Sequence, residues 1–275
     1  SPEQKNRIII ALKNKGHVVG YMGDGINDAP SLRAADVGIS VENSVDIAKE
    51  AADIILLESG LDILDTGIIE GRRTFANTLK YIMMGTSSNF GNVFSVPAAV
   101  FIVPFLPMRP VQILLNNLLY DFAQVTIPTD RVDDDQIAKP RRWNIDFIRN
   151  FMVTFGPISS VFDIFIFVVL LRLFNADEAL FQTGWFLQSL ATQTLVIHVI
   201  RSRHGFPKSR ASIPLTISTL AIVAIGFVIP YSGLAGFFGL VPLPPAVLGV
   251  IIPVIALYLA VVGAVKGWFY RKFHE

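Results

Sequence analysis

The sequence predicts a protein of mixed fold class, with a small α/β segment followed by a polytopic α-helical membrane domain of six spans. Three observations lead to this prediction. Hydrophobic residues make up 52% of the 275 residues and charged residues only 16%, whereas ordinary soluble domains carry about 25% charged residues. Long stretches without charge fill the chain beyond residue 82. Before residue 82, short apolar runs alternate with helical patterns, an order typical of α/β folds.

Charge balance and cysteine content exclude several classes of function. The 23 Lys and Arg residues nearly cancel the 22 Asp and Glu residues, so no bulk charge indicates a nucleic-acid partner, and we expect none. The chain has no Cys, which excludes a disulfide framework, a thiolate metal site and a cysteine nucleophile.

Residues 1–60 predict helices that alternate with parallel strands. Ser1, Pro2 and Gln4 form the pattern of a capping box with proline at the first helical position, and the helix that they open is expected to end near Gly16. We expect strands at 17–22, 37–41 and 53–57 and helices at 27–35 and 45–51. These elements make about half of a domain of usual size. We therefore assign 1–60 to part of a domain, and the family resemblance given below implies that it is the C-terminal part of a cytosolic one.

Residues 61–82 predict a stalk helix between this domain and the membrane. The segment is polar enough to contact water, and no helix breaker separates it from the apolar residues that follow. The membrane domain is assigned to 83–275.

The apolar stretches predict six membrane spans. A bilayer core of about 30 Å needs roughly 20 apolar residues in a helix that rises about 1.5 Å per residue. The spans are expected at about 83–106, 111–128, 151–171, 180–200, 212–231 and 246–265. The second span is interrupted by a single acid, Asp121, and the third span by Asp163. Glycine and proline residues separate the last two spans.

The distribution of basic residues predicts the orientation of these spans. Twelve Lys and Arg residues lie in the 129–150 loop, the 201–210 loop and the tail from 266, whereas the opposite side has only Arg109 and Arg172. Short loops rich in Lys and Arg stay in the cytosol, so we expect the N-terminal domain, the basic loops and the C-terminus there. Such loops attract anionic head groups, so membrane lipids, including anionic ones, are expected partners.

The strongest local motif follows the first predicted strand. Asp24 lies between Gly23 and Gly25, at the strand end where open α/β sheets bind ligands. The glycines allow the backbone to approach a phosphate, and the N-terminus of the next helix favours an anion. Asp24 is suited to hold Mg²⁺, and Lys5 could supply a positive charge to the same phosphate. The alternative is a glycine-rich turn with a capping Asp.

Polar residues inside the first two spans form a second candidate site. Asn89 and Asn92 are three residues apart, and Asn117 and Asp121 four apart, so each pair shares a helix face. An Asp at the centre of a membrane helix costs about 2.5–3.5 kcal/mol and has to face protein, water or an ion. Oxygen ligands favour a hard cation. Asn side chains also bind neighbouring helices together, and for Asp163 both an ion-ligand role and a structural role stay open.

These motifs resemble those of a known family. SPEQK followed by GDGINDAPSL resembles the phosphorylation-domain signature of P-type ATPases, which belong to the haloacid-dehalogenase superfamily. The stalk helix and six spans are similar to their fifth to tenth membrane helices. NNLLYD, GPISSVFDIFIF and FQTGWFLQSLATQTLVIHVIRS resemble bacterial magnesium-translocating members, the type III-B class. In that class Mg²⁺ enters the cytosol across the bacterial inner membrane.

The resemblance implies roles for particular residues. Lys5 would contact the phosphoryl group, and Asp24 and Asp28 would hold the catalytic Mg²⁺. The phosphate-binding loop would use Gly23 and Gly25, and Asn27 would complete the hydrogen-bonded site. The residues implied to bind the transported ion are Asn89, Asn92, Asn117 and Asp121, with Asp163 as a further candidate. The implied cofactors are Mg²⁺ and ATP, with ATP bound mainly by a domain outside this chain.

The resemblance also implies that part of the machinery lies outside these residues. No DKTG motif, whose aspartate is phosphorylated in this family, occurs in the 275 residues. We expect the preceding part of the same polypeptide to be a partner and this chain alone not to hydrolyse ATP. Three alternatives stay open: a P-type ATPase for Ca²⁺ or another cation, a passive channel or secondary transporter with a soluble cap, and an inert membrane module.

Overall fold

The computed structural model describes residues 1–58, 60–205 and 208–273, and only the backbone of Leu61. The chain divides into two compact units, Ser1–Gly71 and Arg72–Glu275. The first unit contains the sheet and the second is helical. Each unit is described below by itself.

The first unit is built on a parallel three-stranded sheet. Its strands, in spatial order, are β1 (Gly20–Met22), β2 (Val37–Val41) and β3 (Ile54–Leu56). The helices of this unit are α1 (Pro2–Asn14), α2 (Ala29–Ala34) and α3 (Asp46–Ala51), with a 3₁₀ turn at Ile26–Asp28. Leu32, Ala48 and Ala51 form its small buried core. The parallel α/β order of this segment matches the prediction.

Local sequence signals set the ends of these elements. The Ser1 hydroxyl accepts a hydrogen bond from the backbone N–H of Gln4 and the Gln4 side chain accepts one from the Ser1 amine, which confirms the capping box. Strand β1 begins at Gly20 rather than at residue 17. The reason is that the carboxylate of Asp36 accepts the N–H of Val19 at 2.9 Å. A side chain therefore binds this N–H, instead of a backbone carbonyl of the neighbouring strand.

The second unit consists of helices. Its elements are α4 (Leu61–Ile102), of which the part from Arg72 belongs to this unit, α5 (Pro110–Gln124), α6 (Asp134–Ile137), α7 (Ile145–Val168), α8 (Glu178–Leu195), α9 (Ile197–Ile200), α10 (Ile213–Val228), α11 (Ala235–Phe238) and α12 (Pro245–Lys272). A π-helical turn, Val169–Leu173, extends α7, and a 3₁₀ turn, Ile229–Tyr231, extends α10.

Three helical segments of the described chain are long and apolar enough to cross a membrane. They are Ile145–Leu173, Ile213–Tyr231 and Pro245–Lys272, which match the third, fifth and sixth predicted spans. Helix α5 has only 15 residues, fewer than the ~20 that a bilayer requires, and α8 carries three glutamines. The first, second and fourth spans therefore stay predictions.

Close helix contacts hold α4 against α7. A Cβ atom added at Gly156 would lie 2.8 Å from the ring of Phe90, and one added at Gly91 would lie 3.0 Å from the carbonyl oxygen of Gly156. Small residues let two helices approach this closely. Beyond this contact, aromatic rings fill the interior, as where Phe151 and Phe269 pack edge to face at 5.5 Å.

A buried ionic cluster, here called the Asp130 cluster, joins distant parts of the second unit. One carboxylate oxygen of Asp130 accepts hydrogen bonds from Lys80 Nζ and from Arg201 Nε, each at 2.7 Å. The other accepts the backbone N–H of Ser212 at 3.0 Å. Burial alone would raise the pKa of Asp130, but the bonds from Arg201 and Lys80 outweigh it and hold that pKa below its usual value. Asp130 is therefore ionised and paired.

Candidate functional site

The first candidate site lies where β1 ends and the 3₁₀ turn begins. Lys5 on α1 donates to one carboxylate oxygen of Asp28 at 2.7 Å, and the hydroxyl of Tyr21 donates to the same oxygen at 2.6 Å. The backbone N–H of Gly25 donates to the other oxygen at 3.3 Å. The structure thus brings together Lys5, Gly25 and Asp28, which the sequence analysis assigned to one site.

Electrostatics and sterics fix this arrangement. The hydrogen bond from Lys5, followed by that from Tyr21, lowers the pKa of Asp28, and the bond to Asp28 raises the pKa of Lys5. Both groups are therefore charged at neutral pH. A Cβ atom at Gly23 would lie 2.5 Å from the Cβ of Asp28. Because no side chain fits there, position 23 requires glycine.

Asp24 and Asn27, the other predicted members of this site, are exposed. The backbone carbonyl of Asp24 accepts the N–H of Val45 at 3.2 Å, which ties the loop to the segment before α3. Three donors already engage Asp28, whereas the carboxylate of Asp24 accepts no hydrogen bond among the described residues. Mg²⁺ prefers carboxylate oxygens and retains several waters. The donor set fits this ion, with Asp24 as the more accessible ligand.

The Tyr21 hydroxyl provides a test of this electrostatic arrangement. Replacing Tyr21 by Phe removes one donor from Asp28, so we expect the pKa of Asp28 to rise toward its usual value. A depressed pKa stabilises the fold at pH values above the unfolded pKa, and this contribution is lost as the pH falls through the folded pKa. The variant should therefore lose less stability on acidification. Carboxyl NMR titration of the protein measures the shift.

The control for this test is Lys5→Met. Since Lys5 contributes the largest lowering, its loss should raise the pKa of Asp28 further than the loss of the Tyr21 hydroxyl. An unchanged pKa in Tyr21→Phe would show that this hydroxyl does not act on the carboxylate.

The structure divides the predicted ion ligands of the second unit. Asn89, Asn117 and Asp121 are exposed, whereas Asn92 is half-buried. The common exposure of Asn117 and Asp121 agrees with the prediction that they share one face of α5. Asn92 and Asp163 line one cavity and Asp121 lines another. The four residues therefore do not form one closed site within this unit.

The cavity with Asn92 and Asp163 is small, and polar and apolar side chains line it together. Its volume of about 30 Å³ holds about two water molecules. Asp163 is only 5% exposed and accepts a hydrogen bond from Ser95. On α8, the amide oxygen of Gln193 accepts from Ser88 at 3.3 Å. The hydrogen bond from Ser95 gives Asp163 a structural partner on α4. Because Asp163 also lines the cavity, its role as an ion ligand stays a prediction.

Three hydroxyl groups that line this cavity have lone pairs available as acceptors. These groups, on Ser87, Ser159 and Thr192, donate their only proton to backbone carbonyls of their own helices at 2.8–3.1 Å. A hydroxyl has one donor and two lone pairs, so these side chains accept from whatever occupies the cavity. Together with Asp163 they favour water or a cation.

The second cavity, which we call the Asp121 cavity, lies between α4 and the end of α5. Its volume is about 440 Å³, and Asn77, Thr78 and Tyr81 line it opposite Asp121 and Gln124. The sequence analysis missed Asn77 and Gln124, as well as Tyr21 in the first site. Asn77 and Tyr21 give no local signal, because their contacts, with Asp130 and with Asp28, form only when the chain folds.

Comparison with known proteins identifies the relatives of this chain. The family model described as "Cation transporting ATPase, C-terminus" matches residues 105–268. The chain is 53% identical to the "Magnesium-transporting ATPase, P-type 1" of Escherichia coli (strain K12) and 52% identical to that of Salmonella typhimurium (strain 14028s), with 99% of the chain aligned in each case. It spans only 31% of the length of these curated relatives. A "Calcium-transporting ATPase 1" of Bacillus cereus is 33% identical over 66% of the chain and 21% of its own length.

Proposed function

Because the chain belongs to the cation-transporting ATPases, as its sequence motifs indicated, we propose that it is the C-terminal part of a pump that uses ATP to import Mg²⁺. The observation that carries this proposal is the geometry of the candidate site around Asp28. A lysine from α1 and a backbone N–H from the glycine loop converge on Asp28 near the end of a parallel strand, and the exposed Asp24 lies four residues before it. This arrangement suits phosphoryl transfer, in which positioning and charge stabilisation supply most of the catalysis.

The proposed reaction is transfer of the γ-phosphoryl group of ATP to an aspartate outside this chain, with release of ADP. Lys5 would neutralise charge that develops on the phosphoryl oxygens, and Asp28 would keep Lys5 charged and oriented through their 2.7 Å bond. Asp24, with Asp28 beside it, would hold the catalytic Mg²⁺. When bound there, Mg²⁺ would supply further positive charge to the transferred group.

The remaining sequence-based assignments belong to the same proposal. The first unit would be the end of a haloacid-dehalogenase-like phosphorylation domain, and the second would cross the bacterial inner membrane six times with its basic loops in the cytosol. The rest of the polypeptide would supply the phosphorylated aspartate and most of the ATP site. Membrane lipids, including anionic ones, would surround the helices.

The transported Mg²⁺ would bind near Asp121. Asn89, Asn117 and Asp121 are exposed in this unit, and exposed polar groups at membrane depth require a protein, water or ion partner. We propose that these residues face the ion path, which the rest of the longer protein would complete. Asn92 and Asp163 would contribute ligands from the small cavity that they line.

Replacing Asp121 by Asn in the full-length pump tests this assignment. Removing the charge while keeping the size of the side chain should reduce Mg²⁺ uptake into vesicles at least a hundredfold, because electrostatic stabilisation by a site of low dielectric constant is lost. Phosphorylation by ATP should persist. Asp177→Asn, an equal change at an exposed helix cap, is the matched control.

Two results would count against the proposal. Normal Mg²⁺ uptake by Asp121→Asn would show that Asp121 is not a ligand of the transported ion. Stimulation of ATP hydrolysis by Ca²⁺ but not by Mg²⁺ would favour a calcium pump. Absence of any phosphoenzyme in the wild-type protein would instead support a passive channel or secondary transporter.

A further inference from the structure

A groove with both basic and apolar walls lies between α4 and the segment before α7. Its volume is about 490 Å³, which is within the range of pockets that bind small molecules, roughly 300–1,000 Å³. We call it the Trp143 groove, and its lining includes Phe75, Leu79, Arg141, Arg142, Trp143 and Phe147. None of these residues belongs to the candidate sites described above.

Local contacts fix the walls of this groove. The indole ring of Trp143 packs edge to face against the ring of Phe75 on α4, with 4.9 Å between the ring centroids. The side chain of Asn144 accepts the N–H of Phe147 at 2.9 Å and so caps α7. Phe147 itself is buried. The segment before α7 is therefore held in place, and a ligand meets a groove that is already formed.

The groove lies at the start of a segment that can cross a membrane. That segment, Ile145–Leu173, is long and apolar enough to do so, and its first residue lines the groove. The side chains of Trp143 and Ile145 are 53% and 78% exposed. Tryptophan is enriched where membrane helices meet water. If the segment crosses a bilayer, as proposed, the groove lies at the depth of the lipid head groups.

Charge makes the groove selective for an anion. Arg141 and Arg142 contribute positive charge to its lining, whereas Asp146, the one acid among the described lining residues, is paired with Arg149 at 3.0 Å. Guanidinium groups match the geometry of phosphate oxygens. A soluble anion would engage only the arginines and would leave the apolar wall in water. An amphiphile that carries a phosphate fits both walls.

We propose that the Trp143 groove binds an anionic phospholipid. Its phosphate accepts hydrogen bonds from the guanidinium groups of Arg141 and Arg142, and an acyl chain packs against the exposed apolar side chains at the start of α7. Basic pockets between membrane helices bind such head groups. This inference rests on the proposed insertion of the second unit into the membrane. It adds one defined lipid site, where the sequence indicated only a general attraction between basic loops and anionic lipids.

Native mass spectrometry of the purified full-length protein tests this site, with phosphatidylglycerol as the anionic lipid and phosphatidylcholine as the neutral one. The wild-type protein should retain phosphatidylglycerol in preference. Replacing both Arg141 and Arg142 by Gln should weaken this binding about thirtyfold, since each basic side chain near anionic lipid contributes roughly fivefold. The matched control replaces Arg131 and Lys139 by Gln, because these are exposed basic residues of the same loop that do not line the groove. It should retain the lipid nearly as well as the wild type.

A second measurement locates the lipid in the groove. Phosphatidylglycerol with brominated acyl chains should quench the fluorescence of the wild-type protein more than that of Trp143→Phe, because bromine quenches an indole that it contacts. Soluble glycerol phosphate should not displace the lipid, since it has no chain to cover the apolar wall.

The outcomes separate this inference from the proposed function. Equal weakening by the groove variant and its control would show that binding follows total charge, and would overturn the inference. Equal retention of the two lipids, or equal quenching in wild type and Trp143→Phe, would also overturn it; a segment of the longer protein that fills the groove would give this result. Displacement by glycerol phosphate would assign the groove to a soluble anion instead. Selective retention of phosphatidylglycerol by a protein that does not transport Mg²⁺ would refute the proposed function and leave the lipid site standing.

Discussion

Replacing Asp24 by Ala in the proposed full-length pump is expected to abolish the phosphoenzyme formed from ATP. Asp24 is exposed in the loop after β1, four residues before Asp28, which pairs with Lys5. Its loss would remove the most accessible ligand proposed for the catalytic Mg²⁺, and a metal clamp on a transferring phosphoryl group supplies several kcal/mol of stabilisation. We expect phosphorylation to fall at least a hundredfold. Incorporation of radiolabelled phosphate from ATP measures it.

A matched control for this variant is Glu50→Ala, which removes an exposed acid from α3 in the same unit. It should retain phosphorylation near the wild-type level. If Asp24→Ala also retained it, the glycine-rich loop would be a simple turn with a capping acid.

Replacing Asp130 by Ala is expected to destabilise the second unit by about 3–5 kcal/mol, the range found when one partner of a buried ion pair is removed. Lys80 and Arg201 would then remain buried, at 3% and 2% side-chain exposure, without the carboxylate that they share. The Ser212 N–H would lose its acceptor as well. Thermal unfolding of the purified protein should show the loss as a lower midpoint.

Asp146→Ala is the control for the Asp130 variant. Asp146 pairs with Arg149 at 3.0 Å, but both side chains are mostly exposed, and exposed pairs contribute about 0–1 kcal/mol. Comparable destabilisation by the two variants would mean that the Asp130 cluster adds little beyond an exposed ion pair.

Local features of the fold could be predicted from the sequence. The capping box at Ser1 depends on residues three apart, and β2 (Val37–Val41) has the bounds expected from its apolar run. The strand predicted at 17–22 was too long, since the carboxylate of Asp36 takes a backbone N–H that the ladder would have used. That contact spans 17 residues, and no local pattern indicates it.

One of the basic residues used to predict the orientation is buried in an ion pair, which the sequence did not indicate. Arg201 was counted among the basic loop residues that set orientation, whereas the structure buries it against Asp130. The two residues are 71 positions apart, so only the folded chain brings them together. A rule based on charge counts cannot distinguish a solvated arginine from one that is paired inside the protein.

The candidate sites were predicted in their chemistry but not in their geometry. The glycine loop and Lys5 were assigned together, and they meet at Asp28. Helical spacing placed Asn117 and Asp121 on one face, but it could not indicate which cavity that face lines. Asn77 and Tyr21 stayed unassigned because their contacts, with Asp130 and with Asp28, form only in the folded chain.

The Asp130 cluster has a consequence for biogenesis. Its acid is translated 50 residues after Lys80 but 71 residues before Arg201 and 82 before Ser212. While the ribosome is still making α8, Lys80 is the one of these three partners that can already donate a hydrogen bond to Asp130. The cluster is complete only once the start of α10 has been made, so Asp130 lacks two of its three partners until then.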